Sequence, residues 1–192
     1  AAVKLEITIN SIIEVTNFKK GDVNLEKENV KWAEFVKKIV SGFKETLNSK
    51  EINCKINIHS DGKEMYVDRK QIKKVFKNIL SNAVKFTGTG GTIEISSYRD
   101  GDNMKTSIKD SGIGMNENIK EKVFEGFTQA QDPLIRDNDG LGIGLTLVKY
   151  IVESHDGDIY IKSKSGQGTE VVFSLPDKNA RPGKVPFRKE EK

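Results

Sequence analysis

Residues 74–87, KVFKNILSNAVKFT, constrain the fold more than any other stretch of the chain. Apolar side chains recur in and just before this stretch at steps of three and four, which predicts a helix with one buried face. These positions are Ile72, Val75, Phe76, Ile79, Leu80, Ala83 and Val84. Three polar residues, Asn78, Asn82 and Lys85, are also spaced by four and then three. They therefore form a second stripe along the same helix.

The polar stripe has the chemistry of a magnesium and phosphate site. An Asn carbonyl is a hard oxygen ligand that suits Mg²⁺, an ion that keeps most of its waters, so Asn82 is the candidate metal ligand. Lys85, one turn further on, can reach a phosphate as a mobile point charge. The solvated face of an ordinary amphipathic helix would contain the same residues. The helix alone leaves both interpretations open.

Three glycine motifs follow the predicted helix. DSGIGM at 110–115 ends a strand-like run, GLGIGL at 140–145 opens a second apolar helix, and GQGT at 166–169 precedes a last strand. The second motif is neither a dinucleotide fingerprint nor a P-loop, because its third glycine comes too early and no Lys-Ser/Thr follows. A glycine-rich start to a helix still exposes N–H groups that favour a phosphate.

In this order and spacing, the helix and the glycine motifs resemble the ATP-binding domain of sensor histidine kinases. That domain belongs to the superfamily that also holds gyrase, MutL and the large heat-shock chaperone. The resemblance covers residues 24–176. It implies an α/β two-layer sandwich, in which a mixed sheet has helices on one face. It also implies that ATP and Mg²⁺ bind between the helices and a mobile lid, predicted at residues 125–139.

The resemblance assigns roles to particular residues. Asp110 would accept a hydrogen bond from the adenine amino group, Gly112 and Gly114 would let the backbone approach the base, and Phe127 would anchor the lid. The nucleotide-binding residues implied are Asp110, Gly112, Gly114, Phe127, Gly140, Leu141, Gly142, Gly144, Leu145 and Thr169, and the catalytic ones are Asn78, Asn82 and Lys85. A turn-forming Asp before Gly, and a core aromatic at Phe127, are the alternative interpretations.

Asn78 discriminates between reaction classes. Hydrolysing members of the superfamily carry a Glu at this place as general base, and an Asn cannot take a proton near neutral pH. The resemblance therefore implies transfer to a histidine on a separate dimerisation hairpin, and then to an aspartate of a response-regulator receiver domain. His59 and His155 lack the phosphoacceptor pattern and are expected to be structural. An ATPase or chaperone-like member and a non-catalytic nucleotide-binding module are the two rival functions.

Domain organisation follows from the same comparison. Residues 1–20 are predicted to be the end of a dimerisation helix and its linker, 21–176 the catalytic domain, and 177–192 a tail or linker. A narrow stripe formed by Leu5, Ile9, Ile12 and Ile13 should pack on another subunit or domain, with packing on its own domain as the alternative. A homodimer is expected for the full-length protein.

Composition limits the remaining possibilities. The net charge of +4 comes from scattered lysines without interleaved aromatics, so nucleic-acid binding is not expected. Cys54 is the only cysteine, which excludes an intramolecular disulfide and fits a reducing, cytoplasmic compartment. No run approaches the ~18 apolar residues of a membrane span, so a membrane contact would need segments outside this chain.

Overall fold

A computed structural model describes residues 2–20, 23–59, 64–125 and 142–177 of the chain. These residues form both helices and strands. The helices are α1 (Ala2–Lys20), α2 (Trp32–Ser41), α3 (Lys44–Ser49), α4 (Arg69–Phe86), α5 (Glu117–Lys122) and α6 (Gly144–Ser154). The strands are β1 (Lys27–Lys31), β2 (Asn53–His59), β3 (Glu64–Asp68), β4 (Thr92–Asp100), β5 (Asn103–Asp110), β6 (Asp158–Ser163) and β7 (Thr169–Pro176).

The main sheet has five strands in the order β2-β4-β5-β7-β6. β2 and β4 are parallel, because the chain passes through α4 between them, while the other pairs are antiparallel. In this register Asp110, the last residue of β5, lies opposite Thr169, the first residue of β7. The predicted mixed sheet is confirmed, and its register brings two of the glycine motifs together.

Helices α2, α4 and α6 cover one face of this sheet, as predicted. Their packing is organised around Phe76, which is fully buried in α4. Its ring lies 5.7 Å from that of Trp32, 6.3 Å from Phe35 and 5.5 Å from Phe173, at tilted or edge-to-face angles. Aromatic pairs prefer such arrangements. The cluster joins α2, α4 and β7, so it fixes α4 against the sheet.

An Asp directly before a helix favours an N-cap, and Asp68 does cap the N-terminus of α4. Its Oδ1 accepts hydrogen bonds from the backbone N–H groups of Lys70 and Gln71, each at 3.0 Å. Its Oδ2 accepts another from the backbone N–H of Glu26 at 3.0 Å. A capping side chain satisfies donors that the first helical turn leaves unpaired. The start of α4 is therefore fixed to the chain that leads into β1.

Two elements differ from the local sequence pattern. Residues 23–27 have the pattern of a short strand, but the strand lies at Lys27–Lys31, where it pairs with β3 in a separate two-stranded sheet. Apolar spacing over residues 30–47 predicts one helix, but the helix begins only at Trp32 and divides near Gly42 into α2 and α3. Pairing with β3 holds Lys31 in an extended conformation, and that pairing is not visible locally in the sequence.

Residues Ala2–Lys20 are helical and form α1. Phe18 is buried near its end, and Glu14 forms an ion pair with Lys74 of α4. The last part of α1 therefore packs on its own domain, against α6. Ile9, Ile12 and Ile13 remain exposed. Among the described helices, none is long and apolar enough to cross a membrane.

The C-terminal boundary lies slightly further along than expected. Asp177, the first residue of the predicted tail, is 3% exposed and forms an ion pair with Arg99 of β4. Its backbone N–H also donates to the carbonyl of Asp102 at 2.8 Å. These contacts attach the chain that leaves β7 to the β4–β5 hairpin. The residues after it lie outside the described part of the chain.

His155 makes the stability of the fold depend on pH. The side chain of His155 is 2% exposed. Its Nε2 accepts a hydrogen bond from the backbone N–H of Asp68 at 3.0 Å. Its Nδ1 lies 2.7 Å from the carbonyl oxygen of Ile151. Burial lowers the pKa of His155 below its usual value, and the nearby Lys27 acts in the same direction. The unfolded chain therefore binds this proton at a higher pH than the folded chain does. Stability should fall as the pH drops from the usual His pKa towards the lowered one.

We expect the free energy of unfolding to decrease by at most about 1.4 kcal/mol per pH unit below pH ~6.5. Urea denaturation at several pH values between about 7.5 and 5 measures this dependence. His155→Gln should flatten it, whereas His59→Gln, at the exposed end of β2, should leave it unchanged. An equal slope in the His155→Gln variant would contradict the assignment.

Candidate nucleotide site

Asp110 lies at the end of β5 and is 8% exposed. Its Oδ1 accepts hydrogen bonds from the backbone N–H groups of Gly112 at 2.8 Å and Thr169 at 3.3 Å. Among the described residues, no group donates to Oδ2. Burial raises the pKa of the carboxyl, and the two N–H groups oppose that effect. One oxygen therefore orients the group, and the other remains an acceptor for a ligand donor such as an exocyclic amino group.

The backbone around Asp110 is too close-packed for side chains. A Cβ added at Gly112 would lie 2.5 Å from the carbonyl oxygen of Phe86, at the end of α4. A Cβ added at Gly168 would lie 2.0 Å from the carbonyl oxygen of Asp110, and Gly168 has a φ of +78°. The end of α4, the loop after β5 and the turn before β7 thus meet through their backbones. Such a surface lets a flat ligand approach closely.

Ser163, at the end of β6, connects two of these segments. Its Oγ accepts from the backbone N–H of Met115 at 2.8 Å and donates to the carbonyl of Gly168 at 2.9 Å. It also lies 3.0 Å from Oγ1 of Thr169, directly across the β6–β7 pair. Sequence reasoning missed Ser163, because a Ser at the end of a strand has no distinguishing spacing. Its position opposite Thr169 could have identified it, but that register is known only once the order of the strands in the sheet is known.

The polar stripe of α4 faces the start of α6. Nδ2 of Asn78 donates to the carbonyl of Lys74 at 3.0 Å, while its Oδ1 lies 2.7 Å from where a Cβ of Gly144 would be. The structure therefore brings Asn78 together with the end of the second glycine motif. Asn82 and Lys85 are half-buried on the same helix. The Nζ of Lys85 lies 5.0 Å from the ring centroid of Phe86, the last residue of α4.

Lys50 fixes the end of α4 that carries Lys85. Its ammonium group donates to the backbone carbonyls of Val84 at 2.7 Å and Thr87 at 3.0 Å, with that of Lys85 at 3.3 Å. A cation is favourable at a helix C-terminus, where carbonyls lack partners. Lys50 follows α3, far from α4 in sequence, so the local pattern gave no sign of this contact.

Several predicted site residues cannot be placed. Phe127, Gly140 and Leu141 lie outside the described residues, as does nearly all of the lid predicted at 125–139. Gly142 is described, leads into α6 and has a φ of +67°, and Leu145 is the second residue of that helix.

A magnesium ion fits the donor set if water and phosphate complete its shell. The described residues contain no group of three or more His, Cys, Asp or Glu side chains that could hold a metal. Because Mg²⁺ keeps several waters and needs few protein ligands beside the phosphates of a nucleotide, an Asn carbonyl oxygen on the polar stripe is a compatible ligand. Asn82 remains the predicted ligand.

Neither histidine is well placed to accept a phosphoryl group. Both ring nitrogens of His155 are engaged and its side chain is buried, which confirms a structural role for this residue. His59 lies at the exposed end of β2, away from the residues around Asp110.

Residues 67–179, more than half of the chain, match the family described as histidine kinase-, DNA gyrase B- and HSP90-like ATPase. The chain belongs to this family. Within it, the relatives are sensor histidine kinases, and the chain is an ATP-binding catalytic domain of the histidine kinase type. The predicted family and fold are confirmed.

Two curated relatives and one solved structure illustrate this likeness. The autoinducer 2 sensor kinase/phosphatase LuxQ of Vibrio parahaemolyticus is 30% identical over 177 residues, which cover 89% of this chain and 21% of LuxQ. The sensor histidine kinase WalK of Bacillus subtilis is 32% identical over 174 residues, which cover 88% of this chain and 28% of WalK. This chain thus spans less than a third of either relative.

The solved structure is that of the histidine kinase ThkA in complex with the response regulator protein TrrA. It shares 24% identity with this chain and has a TM-score of 0.74. The alignment covers 94% of this chain and 50% of ThkA. This likeness concerns the fold.

Proposed function

We propose that this chain is the part of a two-component sensor histidine kinase that binds ATP and Mg²⁺ and donates the γ-phosphoryl group. The acceptor is a histidine on a separate helical hairpin, and the phosphoryl group then passes to an aspartate of a response-regulator receiver domain. The observation that carries this proposal is the position of Asp110. Its oriented carboxylate, surrounded by close-packed glycine backbone, suits adenine, whose amino group donates a hydrogen bond.

The polar stripe supports transfer rather than hydrolysis. The side chain of Asn78 is engaged with the carbonyl of Lys74 and touches the start of α6, and it has no basic oxygen that can activate water. Catalysis would then rest on positioning and on neutralising charge. We assign Asn82 to the metal, Lys85 to a phosphate oxygen, and the first N–H groups of α6 to the phosphates. Mg²⁺, when bound, supplies a positive charge to the transferring group.

The surface of α1 supports a helical partner. Ile9, Ile12 and Ile13 are exposed on it at helical spacing, as a helix in a hairpin requires. ThkA, of similar fold, has been solved with a response regulator, and we propose a partner of that kind here. A homodimer and a reducing, cytoplasmic location complete the proposal. The half-buried, unpaired Cys54 is compatible with that location.

The metal assignment gives a direct test. Asn82→Ala should abolish the dependence of ATP affinity on Mg²⁺, because the replaced side chain no longer offers an oxygen ligand. Calorimetric titration of ATP with and without Mg²⁺ measures this dependence. Ser81→Ala, its exposed neighbour on the same helix, is the control and should keep it. If Asn82→Ala retains the Mg²⁺ dependence, the metal has another ligand.

Two rival functions would give different rates of ATP hydrolysis and phosphoryl transfer. An ATPase or chaperone-like protein would hydrolyse ATP rapidly over many turnovers without any hairpin. A regulatory nucleotide-binding module would bind ATP and neither hydrolyse nor transfer it. We expect slow hydrolysis by the chain alone, since Asn78 is not a base, and transfer once an acceptor histidine is present.

A further inference from the structure

A second concave surface lies beside the nucleotide site, between α2 and α4. This groove has a volume of about 670 Å³. Its lining residues are Phe35, Lys38, Ile39, Gly42, Phe43, Arg69, Lys73, Lys77, Asn78 and Ser81. One end therefore reaches Asn78, which also touches the start of α6. Apart from Asn78, no residue that lines this groove takes part in the phosphotransfer reaction proposed above.

The described residues that line the groove include four cations and no carboxylate. Arg69, Lys73 and Lys77 follow one another at steps of four residues on α4, so they form a single stripe. Lys38 faces them from α2. Four like charges around one depression repel one another. The arrangement is therefore unfavourable until an anionic group enters it.

Two other lysines of α4 form ion pairs with carboxylates. Lys70 pairs with Glu26 at 2.9 Å, and Lys74 pairs with Glu14 of α1. Among the described residues, Lys73 and Lys77 have no carboxylate within ion-pair distance. Within the described residues, the neighbouring stripe of the same helix thus has carboxylate partners, whereas these two groove lysines have none.

The other two cations are scarcely better paired. Lys38 has no carboxylate within ion-pair distance in the described part of the chain. Arg69 lies 3.9 Å from Glu28, at the limit of an ion pair, and both side chains are about half exposed. Such a pair contributes little.

The floor of the groove is apolar. Phe43 is half-buried there, while Phe35 and Ile39 of α2 expose only 5% and 6% of their surface. The guanidinium carbon of Arg69 lies 5.8 Å from the centre of the Phe35 ring. From Arg69 to Ser81 the groove follows about 18 Å of helix axis, or about three helical turns. A floor of this kind accepts an apolar stripe, and the cations spaced by one turn match carboxylates spaced by one turn.

We propose that the groove between α2 and α4 is a docking site for an acidic amphipathic helix of another polypeptide. Its apolar side chains lie on Phe35, Ile39 and Phe43, and its Glu or Asp side chains pair with Lys38, Lys73 and Lys77. This is the helix-in-groove mode of recognition with charge complementarity added. The site does not depend on the phosphotransfer reaction. A partner bound there would lie next to Asn78, at the edge of the nucleotide site.

A synthetic helix tests this proposal. The probe is a fluorescein-labelled peptide of about four turns, with Leu on one stripe and Glu at steps of four beside it. Fluorescence anisotropy measures its binding to the whole chain at low salt. A scrambled peptide of the same composition lacks the stripe and should bind at least about tenfold more weakly, since only the ordered peptide fills the apolar floor. Equal binding of the two peptides would overturn the proposal, as would no binding of either.

Charge reversal locates the site. The double variant Lys73→Glu/Lys77→Glu should bind the ordered peptide at least about tenfold more weakly. Lys37 and Lys55 are exposed lysines outside the groove, so the control variant Lys37→Glu/Lys55→Glu should change the affinity for the peptide less than about threefold. Circular dichroism checks that both variants fold. Equal losses in both variants would show non-specific attraction. Displacement by excess ATP·Mg²⁺ would assign the groove to the nucleotide, and equal displacement by a single-stranded oligonucleotide would assign it to nucleic acid.

Discussion

Asp110→Asn is expected to lower the affinity for ATP by about 1.5–3 kcal/mol, roughly 10- to 150-fold, without destabilising the fold. The Asn oxygen can keep the bonds from Gly112 and Thr169. The NH₂ group of Asn then takes the place of the second oxygen. This group donates hydrogen bonds and cannot accept one from the adenine amino group, which is also a donor. Calorimetric titration measures the loss of affinity.

The stability of this variant separates a binding role from a structural one. Burial raises the pKa of Asp110, so the folded state disfavours the charged form, and this cost grows as the pH rises through the raised pKa. Asn carries no charge, so the melting temperature near pH 7 should stay the same or increase. Asp158→Asn, at the exposed start of β6, is the matched control and should keep full ATP affinity. Unchanged affinity in Asp110→Asn, or equal binding of GTP by the parent chain, would contradict the adenine role.

Gly168→Ala is expected to cost about 2–5 kcal/mol of stability and to abolish measurable ATP binding. The added Cβ would lie 2.0 Å from the carbonyl oxygen of Asp110, and the backbone already has a φ of +78°. A backbone atom cannot move aside as the end of a flexible side chain does. The turn before β7 must therefore separate from β5, and Asp110 moves with it. Urea denaturation and ATP titration measure the two effects.

Gly166→Ala provides a control two residues away. Its φ is +76°, nearly the same, but a Cβ there would meet nothing within 4 Å. It should cost only the strain of a positive φ, about 1–2 kcal/mol, and keep ATP binding. Equal losses of stability and binding in the two variants would show that positive φ, rather than the contact with Asp110, limits position 168.

The sequence was most informative where short-range rules act. Helical spacing predicted α4 and its buried face, and a capping Asp predicted where that helix begins. Asp110 and the glycine motifs were recognised from their order along the chain. The same local signals could not place β1, because the strand exists only through pairing with β3.

The residues that sequence reasoning missed act through distant partners. Lys50 stabilises the end of α4 from 34 residues away, and Ser163 joins Met115 to Gly168 across a strand register. Neither has a spacing that marks it, since their partners become neighbours only when the sheet forms. The groove between α2 and α4 was also missed from the sequence. Lys38 and the cations of α4 are scattered along the sequence, and only the packing of two helices places them together.

We propose that this chain holds ATP and that the acceptor histidine lies on another segment. Incubation with γ-³²P-labelled ATP and Mg²⁺, with and without a separately prepared dimerisation hairpin that carries the acceptor histidine, tests it most directly. We expect acid-labile label on the hairpin and none on the chain. Transfer should be weak, because the two pieces lack the effective concentration that covalent linkage supplies. A hairpin with that histidine replaced by Gln should stay unlabelled. Label on His59 or His155, or rapid hydrolysis without any transfer, would contradict the account.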